Sequence, residues 1–409
     1  MRVSVRSIDK FISHLLVLLV ICSFYVINDQ KIILYSIRIS FIFYMSFRFL
    51  LFNRKLTKYS LWAITFLTIS LASVLWATNQ GQAIYYFIWT LQVLIVAILL
   101  ESFIDHKSRL IFVMKCFIFG GILLVIRLLI ETPIETWGTT RIGTAIGYNA
   151  NDVGLKLSFA ALCSIYFINK SNKKYLSIAL FSFSILSTVA MFSGSRKVFL
   201  ILICGILIYS FFRLKKNIYT LFKYLPIAII FLIIFYNVIM NVEPIYNVFG
   251  NRIEATIVTL LGDNSAVSES ETQVREAMVL RGIELFANQP LLGYGLGNYA
   301  IVSGYGIYSH NNYIELLTSL GIIGFLLYYS IFIYLFLKLF KRLIYKNKSF
   351  AFPFATIFIL LLIDMALVSF QTGYIQILIM LSYSFLRFTE EENNVHDRIL
   401  RIDNVLKRG

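Results

Sequence analysis

Long apolar runs, broken at intervals by short polar clusters, dominate this chain of 409 residues. A helix needs about 20 consecutive apolar residues to cross a hydrocarbon core about 30 Å thick. On that measure the runs fall at 11–27, 32–52, 60–77, 82–100, 109–130, 152–168, 175–192, 197–213, 222–241, 313–340, 351–370 and 373–388. The pattern predicts an all-α polytopic membrane protein with about twelve transmembrane helices. Only Gln371-Thr372-Gly373 separates the last two runs. Four segments follow: spans 1–9 within 1–241, a long polar loop over 242–312, spans 10–12 within 313–388, and a charged tail over 389–409.

The long loop between spans 9 and 10 has a helical pattern of its own. Ser270-x-x-Gln273 reads as a capping box. Val274, Ala277, Met278, Leu285 and Phe286 then recur at helical spacing, interrupted by Arg281 and Gly282. Pro290 ends the stripe, and Gly293-Tyr294-Gly295-Leu296-Gly297 is rich in turn formers. An amphipathic helix of this kind is expected to lie against a membrane face.

Composition confirms the class and charge supplies the orientation. Hydrophobic residues make up 59% and charged residues 14%, against roughly 25% charged in soluble domains; the mean hydropathy is +0.78. The net charge of +16 is accounted for by basic residues in alternate connections, not by a nucleic-acid partner. Arg2/Arg6/Lys10, Arg48/Arg54/Lys55/Lys58, Lys107/Arg109, Lys170/Lys173/Lys174, Arg213/Lys215/Lys216 and Lys338/Lys341/Arg342/Lys346/Lys348 mark every second connection as cytoplasmic. Both termini are then expected inside and the long loop outside. Arg2, Arg6 and Lys10 before an apolar run look like a signal peptide. No small-residue cleavage site follows, so the run is read as a retained first helix. Cys22, Cys116, Cys163 and Cys204 lie in apolar runs with no CxxC, which implies neither a disulfide framework nor a metal site.

Ionisable residues inside spans are costly and draw attention first. Arg38, Arg127, Lys156, Glu315 and Asp364 all fall within roughly 10 Å of the expected outer face at about 1.5 Å per residue. Either they snorkel or pair singly, for instance Arg38 with Asp364, or they line a cavity that opens outward.

The chemistry-bearing residues expected on the outer side are Arg141, Arg196, Lys197, Arg252, Arg275, Arg281 and His310. No metal-ligand spacing, P-loop or GxSxG accompanies them, and no cofactor is implied. Arginine forks hold phosphate bidentately and stay charged, so this set suits a phosphorylated substrate. His310 stands at a helix start among arginines. Both features favour the neutral imidazole, hence a base; a hydrogen-bonded loop histidine is the alternative reading.

Several short pieces, taken in order, resemble the O-antigen ligase and the O-antigen and capsular polysaccharide polymerase superfamily of bacterial envelopes. They are Arg141-Ile142-Gly143 with Gly147-Tyr148-Asn149-Ala150-Asn151-Asp152, then Ser193-Gly194-Ser195-Arg196, then Arg275 ahead of Pro290-Leu291-Leu292-Gly293-Tyr294-Gly295, and last His310-Asn311-Asn312-Tyr313 with Gly321 and Gly324. The family usually has tryptophan four residues after the loop arginine; here that position is Val279, which keeps Arg281 as a rival to Arg275. The resemblance implies metal-independent, inverting glycosyl transfer on the external face of a bacterial inner membrane. The donor would be an oligosaccharide on undecaprenyl diphosphate and the acceptor a glycan or a lipid. His310 would deprotonate the acceptor hydroxyl, while Arg196 and Arg275 hold the diphosphate. Asn149 and Asn151 would shape the donor pocket, with Arg141, Lys197, Arg281 and Asn312 as further substrate contacts. Membrane lipids and other polysaccharide export or chain-length proteins are the implied partners. A polymerase is the first expectation, a ligase acting on lipid A-core the second, and a flippase for the same lipid-linked sugar the third.

Overall fold

The apolar runs fold as helices, and short polar side chains set where several of them begin. A computed structural model describes residues 5–25, 31–52, 54–137, 139–144, 147–168, 173–214, 237, 240–241, 243, 246–250, 254, 269–345 and 348–388. The first eight helices are α1 (Val5–Tyr25), α2 (Lys31–Leu51), α3 (Lys58–Ala72), α4 (Gln80–Phe103), α5 (Lys107–Glu131), α6 (Ala150–Ile168), α7 (Lys173–Met191) and α8 (Arg196–Leu214). The polar segment contributes α9 (Glu269–Asn288). After it come α10 (Asn312–Ile344), α11 (Ala351–Ile363) and α12 (Gly373–Phe388). No β-strand occurs among the described residues, only an isolated bridge between Trp137 and Thr140.

Seven of these helices, α1 to α6 and α10, are long and apolar enough to cross a membrane. Tyr175–Met191, Lys348–Ile363 and Gly373–Phe388 are apolar but shorter. Most of the expected ninth span, 222–241, lies outside the described residues, as do Arg252 and the tail 389–409. The eleventh run is shorter than its apolar length suggests. Helix α11 stops at Ile363 because the chain turns at Asp364, and the N–H groups of Ser369 and Phe370 donate to Asn312 Oδ1 at 2.9 and 3.2 Å instead of continuing a helix.

Caps fix the helix starts. Thr57 Oγ1 accepts from Ser60 N at the head of α3, Asn79 Oδ1 from Gln82 N at the head of α4, and Asn311 Oδ1 from Tyr313 N and Ile314 N at the head of α10. Each cap satisfies a donor that has no partner within the helix, worth about 1 kcal/mol. Helix α6 is the central post, buried along most of its length against α5, α7 and α8. Its neighbours approach through glycines: a Cβ on Gly121 of α5 would stand 2.6 Å from that of Ala160, and one on Gly205 of α8 would stand 2.3 Å from Leu162. Small residues at such crossings let backbones close up where lipid supplies no hydrophobic drive.

The two ends of the bundle differ in chemistry. At one end the cations are paired: Arg48 with Asp9 at 2.9 Å, Arg54 and Arg109 with Asp105 at 2.5 and 2.8 Å, and Arg387 with the buried Glu101. The other end gathers the α3–α4, α5–α6, α7–α8 and α11–α12 connections with α9 and the head of α10. Of the five ionisable residues singled out inside spans, four have local partners. Arg127 bonds Glu131 at 2.7 Å, and Lys156 bonds Asp152 at 2.6 Å. Glu315 accepts from Ser309 N at 2.8 Å, and Asp364 Oδ2 accepts from Tyr329 Oη at 2.9 Å and Asn312 Nδ2 at 3.2 Å. Arg38 does not pair with Asp364. Its guanidinium lies 4.8 Å from the centre of the Phe24 ring instead.

Candidate active site

The site end is organised by a break in α10. Gly321 adopts φ 63° and ψ −167° in the middle of that helix, a conformation open essentially to glycine alone. The freed backbone groups are taken by the segment after α9. Tyr294 N and Gly295 N donate to the carbonyls of Thr318 and Ser319 at 2.9 Å each, and Ile322 N donates to Pro290 O at 2.8 Å. The same segment is bonded to the α3–α4 turn through Thr78 N to Tyr294 O at 3.0 Å and Asn79 N to Asn298 Oδ1 at 2.7 Å. The glycine-rich stretch is therefore a two-sided dock and no phosphate loop.

Docking fixes α9. It crosses the head of α10 at Gly282, where a Cβ would lie 2.2 Å from Ile314, and Met278, Tyr299 and Ile314 form a small cluster there. Tyr299 Oη donates to Met278 O at 2.6 Å. Arg275 is seven residues before Gly282, two helical turns away on the same side of α9. The expectation of an amphipathic helix needs refinement. Met278 and Leu285 are buried in protein, whereas Val274, Leu280 and Ile283 are exposed.

His310 is the only non-glycine residue with positive φ among the described residues, at 56°. The left-handed region costs an ordinary side chain roughly 1–2 kcal/mol, and such strain collects at functional sites. Its neighbours hold it there. Ser309 N donates to the buried Glu315 carboxylate, Ser309 Oγ donates to Asn311 O at 2.7 Å, and Asn311 caps α10. The Tyr308 ring packs on the imidazole, with centroids 4.4 Å apart.

A second wall comes from the α5–α6 and α7–α8 connections. Arg141 Nε donates to Ser193 O and its Nη2 donates to Asn151 Oδ1, both at 2.7 Å, while Ile142 N donates to Phe192 O at 3.0 Å. Asn149 Oδ1 accepts from Asn151 N at 3.0 Å, closing a turn ahead of α6. A Cβ on Gly154 would come 2.3 Å from Ser193 Oγ, so the α7–α8 turn sits directly against α6. Arg196 and Lys197 open α8 just after this turn.

Electrostatics joins the two walls. Arg275, Arg141 and Arg196 all lie near enough to Lys197 to bear on its ammonium. Arg275, Glu315 and Asp152 likewise bear on the Tyr308 phenol, whose pKa burial pushes up and Arg275 pulls back. Electrostatic influence thus links Tyr308, packed on His310, to Arg275, and Arg275 with Arg141 and Arg196 to Lys197. Two expected contacts fall elsewhere. Arg281 pairs with Glu284 at 3.0 Å on its own helix. Asn312 is fully buried: its amide serves Tyr329 and Asp364, and its carbonyl oxygen serves Ser369 and Phe370. Tyr308 joins the site without having been singled out from sequence, whereas Glu315 stood among the ionisable residues inside spans and Asp152 in the Gly147–Asp152 piece. For Tyr308, proximity to His310 in the chain was an available signal. Among the described residues no group of three His, Cys, Asp or Glu side chains is placed to hold a metal ion. Cations coupled in this way can hold an anionic group, and an imidazole can move one proton.

Residues 181–329 match the family model for O-antigen ligase. The match spans 149 of the 409 residues and marks what this segment is similar to. No curated protein matches the chain. The matched segment holds Arg196, Lys197, Arg275, His310 and the Gly321 break, while Arg141, Asn149 and Asn151 reach the site from before it. The match supports the expected resemblance to the O-antigen ligase and polymerase superfamily.

Proposed function

We propose that the chain is a polysaccharide polymerase of the O-antigen and capsule type. In this reading it transfers a glycan from an undecaprenyl-diphosphate carrier with inversion, on the external face of a bacterial inner membrane. The observation that carries it is the electrostatic coupling of Lys197 with Arg141, Arg196 and Arg275, and of Arg275 with Tyr308, whose ring packs on the strained His310. A sugar diphosphate needs charge neutralised as it departs, and fixed guanidinium groups supply this without reorganising during the reaction. His310 takes the proton from the acceptor hydroxyl. The hydroxyl oxygen forms the new bond to the anomeric carbon from the face opposite the diphosphate. The bond from that carbon to the diphosphate oxygen breaks, and undecaprenyl diphosphate leaves carrying its electron pair. Tyr308 and the Ser309–Glu315 bond hold the imidazole in place. The match to a family described as O-antigen ligase supports a second reading, in which the acceptor is lipid A-core.

The two readings part in one experiment. Purified protein given lipid-linked repeat units alone is expected to build a ladder of longer lipid-linked chains. If product forms only after lipid A-core is added, the polymerase assignment is wrong and the ligase reading replaces it. The same assay ranks the two loop arginines. Arg275→Ala is expected to lower turnover by about 10²-fold, the scale of losing one group that stabilises developing charge. Arg281→Ala, which removes only an exposed pair with Glu284, is expected to stay within a few-fold of the parent. Equal losses in both variants would reject Arg275 as the diphosphate ligand.

A further inference from the structure

Arg38 is the one cation of the five residues inside spans that these contacts leave without a protein counter-ion among the described residues. It lies seven residues into α2, about 10 Å from the start of that helix. The flanking α2 residues Tyr35 and Ile39 are 49% and 65% exposed, as expected of a face turned to lipid. Arg38 itself is half-buried, and its Nε is buried with no hydrogen-bond partner among the described residues. No described carboxylate is within ion-pair distance; the guanidinium has the Phe24 ring at 4.8 Å. A cation–π contact of this kind is worth about 0.5–2 kcal/mol, well short of what keeping an unpaired cation in a hydrocarbon layer costs.

The surroundings hold a second unused donor. Phe24 packs on the start of α12, where a Cβ on Gly373 would lie 2.1 Å from its ring. Two residues earlier, Gln371 is 8% exposed and its Nε2 is buried without a partner among the described residues. The residue after Gly373, Tyr374, donates from Oη to Asp152 at 3.3 Å, so this flank adjoins the candidate site. The unpartnered guanidinium nitrogen on the lipid-facing α2 calls for an anionic acceptor, and Phe24 links it to the segment that carries the unpartnered Gln371 amide. The leaflet itself supplies that acceptor as phosphate.

We propose that the flank formed by α1, α2 and the start of α12 binds the phosphate of a membrane lipid through Arg38, with Gln371 as a second donor. The site is distinct from the Arg141–Arg196–Lys197–Arg275 cluster and stands whether or not the chain transfers sugar. Two lipids carry the required chemistry: a phospholipid with an anionic headgroup, and a polyprenyl phosphate.

The test is native mass spectrometry of the purified full chain with phosphatidylglycerol, undecaprenyl phosphate or diacylglycerol, for the parent protein and for Arg38→Gln, Arg38→Met and Arg38→Lys. The parent is expected to retain one phosphate-bearing lipid at least tenfold more than diacylglycerol. That adduct is expected to fall about tenfold in Arg38→Gln and Arg38→Met and to persist in Arg38→Lys. Displacement of phosphatidylglycerol by undecaprenyl phosphate identifies the carrier as occupant; failure to displace it identifies the phospholipid. Equal retention of diacylglycerol by the parent overturns the proposal without any variant. So does an adduct unchanged in whichever neutral variant folds.

Discussion

His310→Ala is expected to lower glycan transfer by about 10²–10⁴-fold, the usual contribution of a positioned acid–base group, while binding of the lipid-linked donor changes little. The cations that would hold the diphosphate come from other elements, α8, α9 and the α5–α6 connection, and removing the imidazole leaves their positions intact. His310→Asn is the sharper comparison, because asparagine tolerates φ 56° as readily as histidine yet offers no base at neutral pH. Both proteins are expected to melt close to the parent temperature. Single-turnover product formation by either variant at the parent rate would falsify the assignment of His310 as base. A loss of donor binding together with the rate would make it a substrate contact instead.

Gly321→Ala is expected to have the largest effect on stability. Alanine at φ 63° and ψ −167° enters a region where backbone strain alone runs to about 1–3 kcal/mol. Its Cβ would also lie 2.3 Å from the carbonyl carbon and oxygen of Leu291, and backbone cannot rotate aside as a side chain can. The dock joining α9 to α10 is expected to open, lowering the melting temperature by several degrees and taking activity with it even though Gly321 touches no substrate. Parent-like melting of Gly321→Ala would show that the break in α10 is not what holds the segment in place.

How much of this was legible in the sequence differs by scale. Apolar length located the described helices α1 to α8 and α10 to α12, while the ninth run lies mostly outside the described residues; the Ser270-x-x-Gln273 and Pro290 signals bracketed α9 at Glu269–Asn288. Side-chain partners were not legible, because they are set by packing between distant segments. The pairing of Arg38 with Asp364 seemed reasonable by depth, yet depth says nothing about which way helices turn around their axes. His310-Asn311-Asn312 read as one polar motif with a single purpose. Folding separates the three roles. His310 carries the strain, Asn311 caps α10, and Asn312 ties the head of α10 to the α11–α12 connection. The surroundings of Arg275 and Arg281 were likewise illegible: Arg275 is coupled electrostatically to Tyr308 and Lys197, and Arg281 pairs with Glu284.

The break at Gly321 also decides how high His310 stands. Unbroken, Asn312–Ile344 would be 33 residues, or about 50 Å, far longer than a hydrocarbon core of about 30 Å. Divided at Gly321, the portion 322–344 is about 35 Å long and matches that thickness with modest tilt. The portion 312–320 adds about 13 Å beyond it. With 322–344 spanning the core, His310 stands on a short pedestal above it, and under the proposed function that is the height at which two lipid-anchored glycans can meet.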